Sequence, residues 1–138
     1  MSILLKTFTF FILFGSNILN AEVYNISPSE IKQLMEKNIP LIDIRREDEW
    51  KSTGVIDKSH LVTFFNKDGK YNFQKFMQEI SEIKHIEKGL ILFCRTGRRT
   101  TIIADAINKT GKHKSIYNTK GVTAWSSEKN PLVKYQKN

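Results

Sequence analysis

The 138 residues contain one cysteine, Cys94, so the chain cannot close a disulfide on itself. Its three histidines, His60, His85 and His113, are scattered, and no Cys/His spacing of the zinc type occurs. No metal site and no other cofactor is expected. Proline (three) and glycine (seven) are scarce, which excludes collagenous, linker-like and low-complexity chains. Acidic residues are also in deficit, 14 against 22 basic ones, for a formal net charge of +8. That balance suits an anionic partner but does not choose between nucleic acid, a membrane surface and a small anion. The uncharged stretch at residues 7–21 is fifteen residues long, short of the roughly 20 that a spanning helix takes.

The chain does have enough apolar sequence for one packed core: 40% of residues are hydrophobic and 26% charged, at a length that suits a single domain. Lys6, the apolar block Phe8–Phe14 and the more polar end Leu19-Asn20-Ala21 have the anatomy of a signal peptide cleaved after Ala21; an uncleaved N-terminal anchor is the alternative. Residues 1–21 are thus read as a signal and 22–138 as one exported domain. The expected location is the periplasm or another exported compartment, with no stable membrane insertion after cleavage and no nucleic-acid partner.

Beyond the signal, Ser27-Pro28-Ser29-Glu30 reads as a capping box. Ser27 is the N-cap, Pro28 the first helical residue, and Ile26 and Ile31 a hydrophobic staple. The helix carries Ile31, Leu34 and Met35 and ends near Asn38. Leu41-Ile42-Asp43-Ile44 follows as a short strand, and then a polar turn through Glu47, Asp48 and Glu49. A further strand is read over Leu61–Phe65, closed by Asp68-Gly69. Phe73, Phe76, Met77, Ile80 and Ile83 keep helical spacing, and Leu90–Phe93 is the strongest buried-strand run. Ile102, Ile103, Ala106 and Ile107 share one face of a helix that Gly111 terminates. A strand at Ser115–Tyr117 and a short helix with Trp125 complete the chain. Short apolar strands alternating with amphipathic helices predict an α/β fold of three layers, a mostly parallel sheet with helices on both faces.

In such a sheet the functional crevice lies past the carboxyl ends of the strands, which is where Cys94 falls. The segment Cys94-Arg95-Thr96-Gly97-Arg98-Arg99-Thr100 sets three guanidinium groups near one thiol and then enters a helix whose N-terminal amides carry partial positive charge. Cations and a helix N-terminus favour the nucleophilic thiolate. Gly97 lets successive N–H groups turn inward as a concave anion receptor. The bland alternative is a buried structural cysteine beside a solvated basic turn.

These residues resemble the active-site loop of the rhodanese-like sulfurtransferases, Cys-x-x-Gly-x-Arg-Ser/Thr, matched by Cys94, Gly97, Arg99 and Thr100. Leu41-Ile42-Asp43-Ile44-Arg45 resembles the family's Leu-Val/Ile-Asp-Val-Arg strand, Glu47–Trp50 its acidic-aromatic stretch, and Gly121–Trp125 its Gly-Gly-x-x-x-Trp end. The family's Gly-His-Ile-Pro-Gly-Ala segment appears as Gly54-Val55-Ile56-Asp57-Lys58-Ser59, and Lys120 replaces the first glycine of the Gly-Gly pair.

The resemblance implies a rhodanese-like fold and a sulfurtransferase. Cys94 would take sulfane sulfur from thiosulfate or polysulfide as a persulfide and pass it to a thiol, cyanide or protein acceptor. It assigns Arg95 and Arg98 to the anionic donor and the amides of the loop, Arg95 through Thr100, to the persulfide. Arg99 would turn inward to an acidic residue, Asp43 or one of Glu47–Glu49. Asp43 and Arg45 are read as loop support, since a carboxylate at a buried strand end needs a partner; the other reading pairs Asp43 simply with Arg45. Trp50 and Trp125 are read as core. The assembly implied is a monomer or homodimer.

Three other functions use related parts. A phosphatase or arsenate reductase of the same fold places five residues between Cys and the phosphate-gripping Arg, whereas four separate Cys94 from Arg99. A thiol-disulfide protein needs a resolving cysteine, which this chain lacks. A non-catalytic binding module on the same scaffold would present a surface to another exported protein.

Overall fold

The structure, a computed structural model, describes residues 21–137. The signal-peptide reading, Ala21 apart, lies outside the described residues. In chain order the elements are β1 (Glu22–Ile26), α1 (Pro28–Glu36), β2 (Leu41–Asp43), α2 (Glu47–Thr53), β3 (His60–Leu61), α3 (Phe73–Ser81), a 3-10 turn (Ile86–Lys88), β4 (Leu90–Phe93), α4 (Arg98–Asn108), β5 (Ser115–Thr119) and α5 (Gly121–Ser127). The sheet order is β1-β5-β4-β2-β3, and every strand pairing within it is parallel.

Side chains alternate across the strands and so build two cores. Ile42, Ile44, Leu90, Leu92 and Ile116 pack with Phe76 and Ile80 of α3 and with Ile103, Ala104 and Ile107 of α4. On the other face Leu41, Ile91 and Phe93 pack with Ile31 of α1 and Trp125 of α5. Strand β4 at the centre is buried on both faces, as its unbroken Leu-Ile-Leu-Phe run requires. Cys94 continues its alternation and lies with the α3/α4 cluster. Among the described residues no helix is long and apolar enough to cross a membrane.

Three elements differ from the sequence reading. Residues 22–26 form a strand: β1 is an edge strand, largely exposed, with no apolar run to announce it. The polar stretch Glu47–Glu49 is the first turn of α2, where three acidic side chains meet the positive end of the helix. The strand read over Leu61–Phe65 stops at Leu61. Phe64 and Phe65 then lie edge to face, 4.8 Å apart, in an aromatic cluster with Tyr71 and Phe73 that no pleat could accommodate. The capping box is present, with the Ser27 N–H donating to Glu30 at 2.8 Å and the Glu30 N–H to Ser27 Oγ at 3.4 Å.

At the carboxyl end of β2 a fully buried ion pair ties strand to helix. Arg45 Nε and Nη2 donate to the two Asp43 oxygens at 3.0 and 2.8 Å. The same guanidinium donates to Thr53 Oγ1 at 2.7 Å and to the Gly54 carbonyl at 3.0 Å, and so fixes the end of α2. Removing one member leaves the other charged, buried and unpaired. Asp43→Ala is therefore expected to cost about 3–5 kcal/mol in urea unfolding; a loss below about 1 kcal/mol would show the pair to be dispensable.

Candidate active site

Between the end of β4 at Phe93 and the start of α4 at Arg98, four residues must turn the chain from strand to helix. Gly97 completes the turn at φ 88°; a Cβ there would stand 2.5 Å from the Thr119 carbonyl oxygen. This left-handed bend aims the Gly97 N–H at Cys94 Sγ, 3.1 Å away. The Gly97 carbonyl accepts from the hydroxyls of Thr100 at 3.0 Å and Thr101 at 2.8 Å. Thr100 Oγ1 also lies 3.7 Å from the sulfur.

Helix α5 holds the loop from the other side. The Val122 N–H donates to the Cys94 carbonyl, and the Thr123 N–H and hydroxyl both donate to the Arg95 carbonyl, each at 3.0 Å. Gly121, at φ 64°, permits this approach: a Cβ would fall 2.2 Å from the Cys94 carbonyl oxygen. Lys120 has φ −84°, which any residue adopts, so the glycine missing from the Gly-Gly pair is not needed here. The degenerate segment after α2 likewise keeps the glycine that geometry demands. A Cβ on Gly54 would stand 2.6 Å from the Val133 carbonyl oxygen, and Val55 and Val133 exchange backbone hydrogen bonds beside it.

The predicted crowd of three guanidinium groups around the sulfur is not what the structure forms. Arg95, Thr96 and Arg98 are exposed, and Cys94 itself is only 1% exposed. Successive helical side chains diverge by about 100°, so Arg98 and Arg99 cannot both face the same point. Arg99 alone turns inward. Its two Nη atoms donate to the two oxygens of Glu49 at 2.8 and 2.7 Å. These bonds raise the guanidinium pKa above its ordinary value against the effect of burial, with further contributions from the charges of Glu49, Cys94 and Asp43. Thr100 is fully buried beneath the loop.

The preferred reading of Asp43 as the partner of the loop is corrected: its carboxylate is occupied by Arg45, two residues on at the same strand end. Asp43 and Arg45 make no side-chain hydrogen bond to the loop; Arg45 holds the end of α2, whose Glu49 grips Arg99. Trp50 and Trp125 are buried, as read. Sequence reasoning missed Thr101 and Thr123. Their hydroxyls follow from their places in the first turns of α4 and α5, next to carbonyls of the loop.

Burial pushes the Glu49 carboxyl up, but the hydrogen bonds from Arg99 and from the Arg46 N–H, with the charges of both arginines, outweigh it and hold the pKa below the ordinary glutamate range. A carboxyl whose pKa is lower folded than unfolded stabilises the domain above its unfolded value, near 4.3, and loses that contribution as pH falls toward the folded one. Glu49→Gln is expected to cost about 2 kcal/mol at neutral pH, and the gap to the parent should close on acidification. Urea melts at a series of pH values read this out; a gap independent of pH would contradict the assignment.

Comparison with known proteins agrees with this geometry. The family model for the rhodanese-like domain matches residues 27–128. A putative mitochondrial thiosulfate sulfurtransferase of Schizosaccharomyces pombe is 31% identical, over 72% of this chain and 69% of its own. An uncharacterized protein of Rickettsia prowazekii is 30% identical, over 74% of this chain and 78% of its own. The solution structure of a polysulfide-sulfur transferase homodimer from Wolinella succinogenes superposes with a TM-score of 0.60 at 26% identity, covering 83% of this chain and 81% of that one.

Proposed function

Since the chain belongs to the rhodanese-like domain family, we propose that it is an exported sulfurtransferase that carries sulfane sulfur on Cys94. The observation that carries this reading is the Gly97 N–H aimed at Sγ at 3.1 Å. A preorganised amide donor stabilises negative charge on sulfur and needs no reorganisation when that charge arrives. The relatives named for thiosulfate and for polysulfide sulfur transfer support the class of donor.

In the first step the Cys94 thiolate attacks the outer sulfur of thiosulfate or a polysulfide. A new S–S bond forms, the donor's own S–S bond breaks, and sulfite or a polysulfide one sulfur shorter leaves with the electron pair. In the second step an acceptor thiolate or cyanide attacks the terminal sulfur of the persulfide, and Cys94 departs as thiolate. No external oxidant or reductant is required. The exposed Arg95 and Arg98 raise the local concentration of the anionic donor. Arg99, tied to Glu49, keeps the loop in register for both steps. Asp43 and Arg45 hold α2 and so act as positioning residues. The reading of residues 1–21 as a signal is what supports export; cleavage after Ala21 would leave β1 whole and would remove Ala21 from the core.

Purified protein mixed with thiosulfate or polysulfide, then freed of donor, is expected to gain one sulfur atom at Cys94 by intact mass. The gain should be reversed by cyanide and absent in Cys94→Ser. No gain with either donor would overturn the assignment and leave a non-catalytic binding module of the same fold.

A further inference from the structure

A cleft of about 850 Å³ opens beside the loop, where β1 and β5 end and where α1 and α4 begin. Thr96, Gly97 and Arg98 of the active-site loop form part of its wall, but the two-step transfer above uses none of its other residues. Two features point to an occupant. The first is its charges: Arg98 and Lys120 line it with cations, neither of them in an ion pair among the described residues, while Glu30 and Glu128 line it with carboxylates. The second is Asn118. Its side chain, 8% exposed, also lines the cleft, and its Oδ1 is buried without any hydrogen-bond partner. A buried carbonyl left unpaired costs about 1–3 kcal/mol, which an N–H donor brought by a ligand would recover.

A lone anion would meet two carboxylates here, and a lone cation two basic groups. A molecule bearing both charges meets neither conflict. We propose that this cleft is a second binding site, for a small zwitterionic ligand of amino-acid or short-peptide type, with its carboxylate at Arg98 and Lys120 and its N–H or ammonium donors on Asn118, Glu30 and Glu128.

The site communicates with the sulfur through a short chain of hydrogen bonds. Asn118 Nδ2 donates to Asn25 Oδ1 and to Thr101 Oγ1, each at 3.0 Å. The Thr101 hydroxyl donates to the Gly97 carbonyl at 2.8 Å, and the Gly97 N–H donates to Cys94 Sγ. An occupant that engages Asn118 thus bears on the same peptide unit that steadies the sulfur, which makes Asn118 a positioning residue. If the occupant is a peptide thiol, it is the sulfur acceptor held beside the loop; that identification rests on the function proposed above.

Glutathione methylated on sulfur provides an unreactive probe of this class. Titrated into the protein and followed by calorimetry and amide NMR, it is expected to bind saturably and to shift the Thr96, Gly97 and Arg98 amides and the Asn118 side-chain amide. Amidation of both carboxylates should abolish binding. Lys120→Gln, a substitution of an exposed side chain, should weaken it about fivefold, the loss of one partly exposed charge pair. Asn118→Ala should remove the shift at Gly97. An unsaturable titration, or equal binding by the amidated probe and by Lys120→Gln, would overturn the site. Sulfur loading of Cys94, measured in parallel by mass, separates the two proposals. Loading without probe binding refutes the cleft alone, whereas probe binding without loading supports the cleft and removes its link to sulfur transfer.

Discussion

A single backbone bend governs this molecule: Gly97, held in the left-handed region, turns its N–H onto the sulfur of Cys94. Only glycine fits, because a side chain would strike the carbonyl of Thr119 at the end of β5. The bend is clamped by the hydroxyls of Thr100 and Thr101 on the Gly97 carbonyl and by the first amides of α5 on the carbonyls of Cys94 and Arg95. Packing alone thus presents a fixed N–H to the sulfur, and the carbonyls of Cys94, Arg95 and Gly97 are satisfied in the act of forming it.

The charged groups around that bend differ in what they meet. Arg99 is restrained by Glu49 rather than free to seize a ligand. Asp43 and Arg45 are buried in each other's company, and Arg45 grips the end of the helix that carries Glu49. Arg95 and Arg98 meet water. This arrangement separates the cations held inside the fold from those left at its surface. It also explains why a net charge of +8 does not by itself identify a partner.

Much of this was legible in the residues. The run Leu90–Phe93 after Gly89 is buried on both faces and reads as a central strand, and the strand carries Cys94 to the carboxyl edge of the sheet. The capping box at Ser27 is local, so sequence shows it directly, and Gly97 reads as the residue that lets the loop curl. What depended on direction in space was less visible. Composition shows three arginines beside one cysteine but not that helical geometry sends Arg98 outward and Arg99 inward. The choice between Asp43 and Glu49 as partner of Arg99 turned on α2 being a helix. Its acidic first turn looked like a polar turn because it has no apolar periodicity beyond Trp50. Edge strand β1 escaped for a similar reason, since exposure removes the hydrophobic pattern that marks a strand.

The central claim is that Cys94 sits in a site built for a small anion, and competitive alkylation tests it most directly. Ordinary thiols react faster with neutral iodoacetamide than with anionic iodoacetate. Here the order is expected to invert at low ionic strength and to relax as salt screens the field of Arg95 and Arg98. A preference for the neutral reagent, unchanged by salt, would contradict the account.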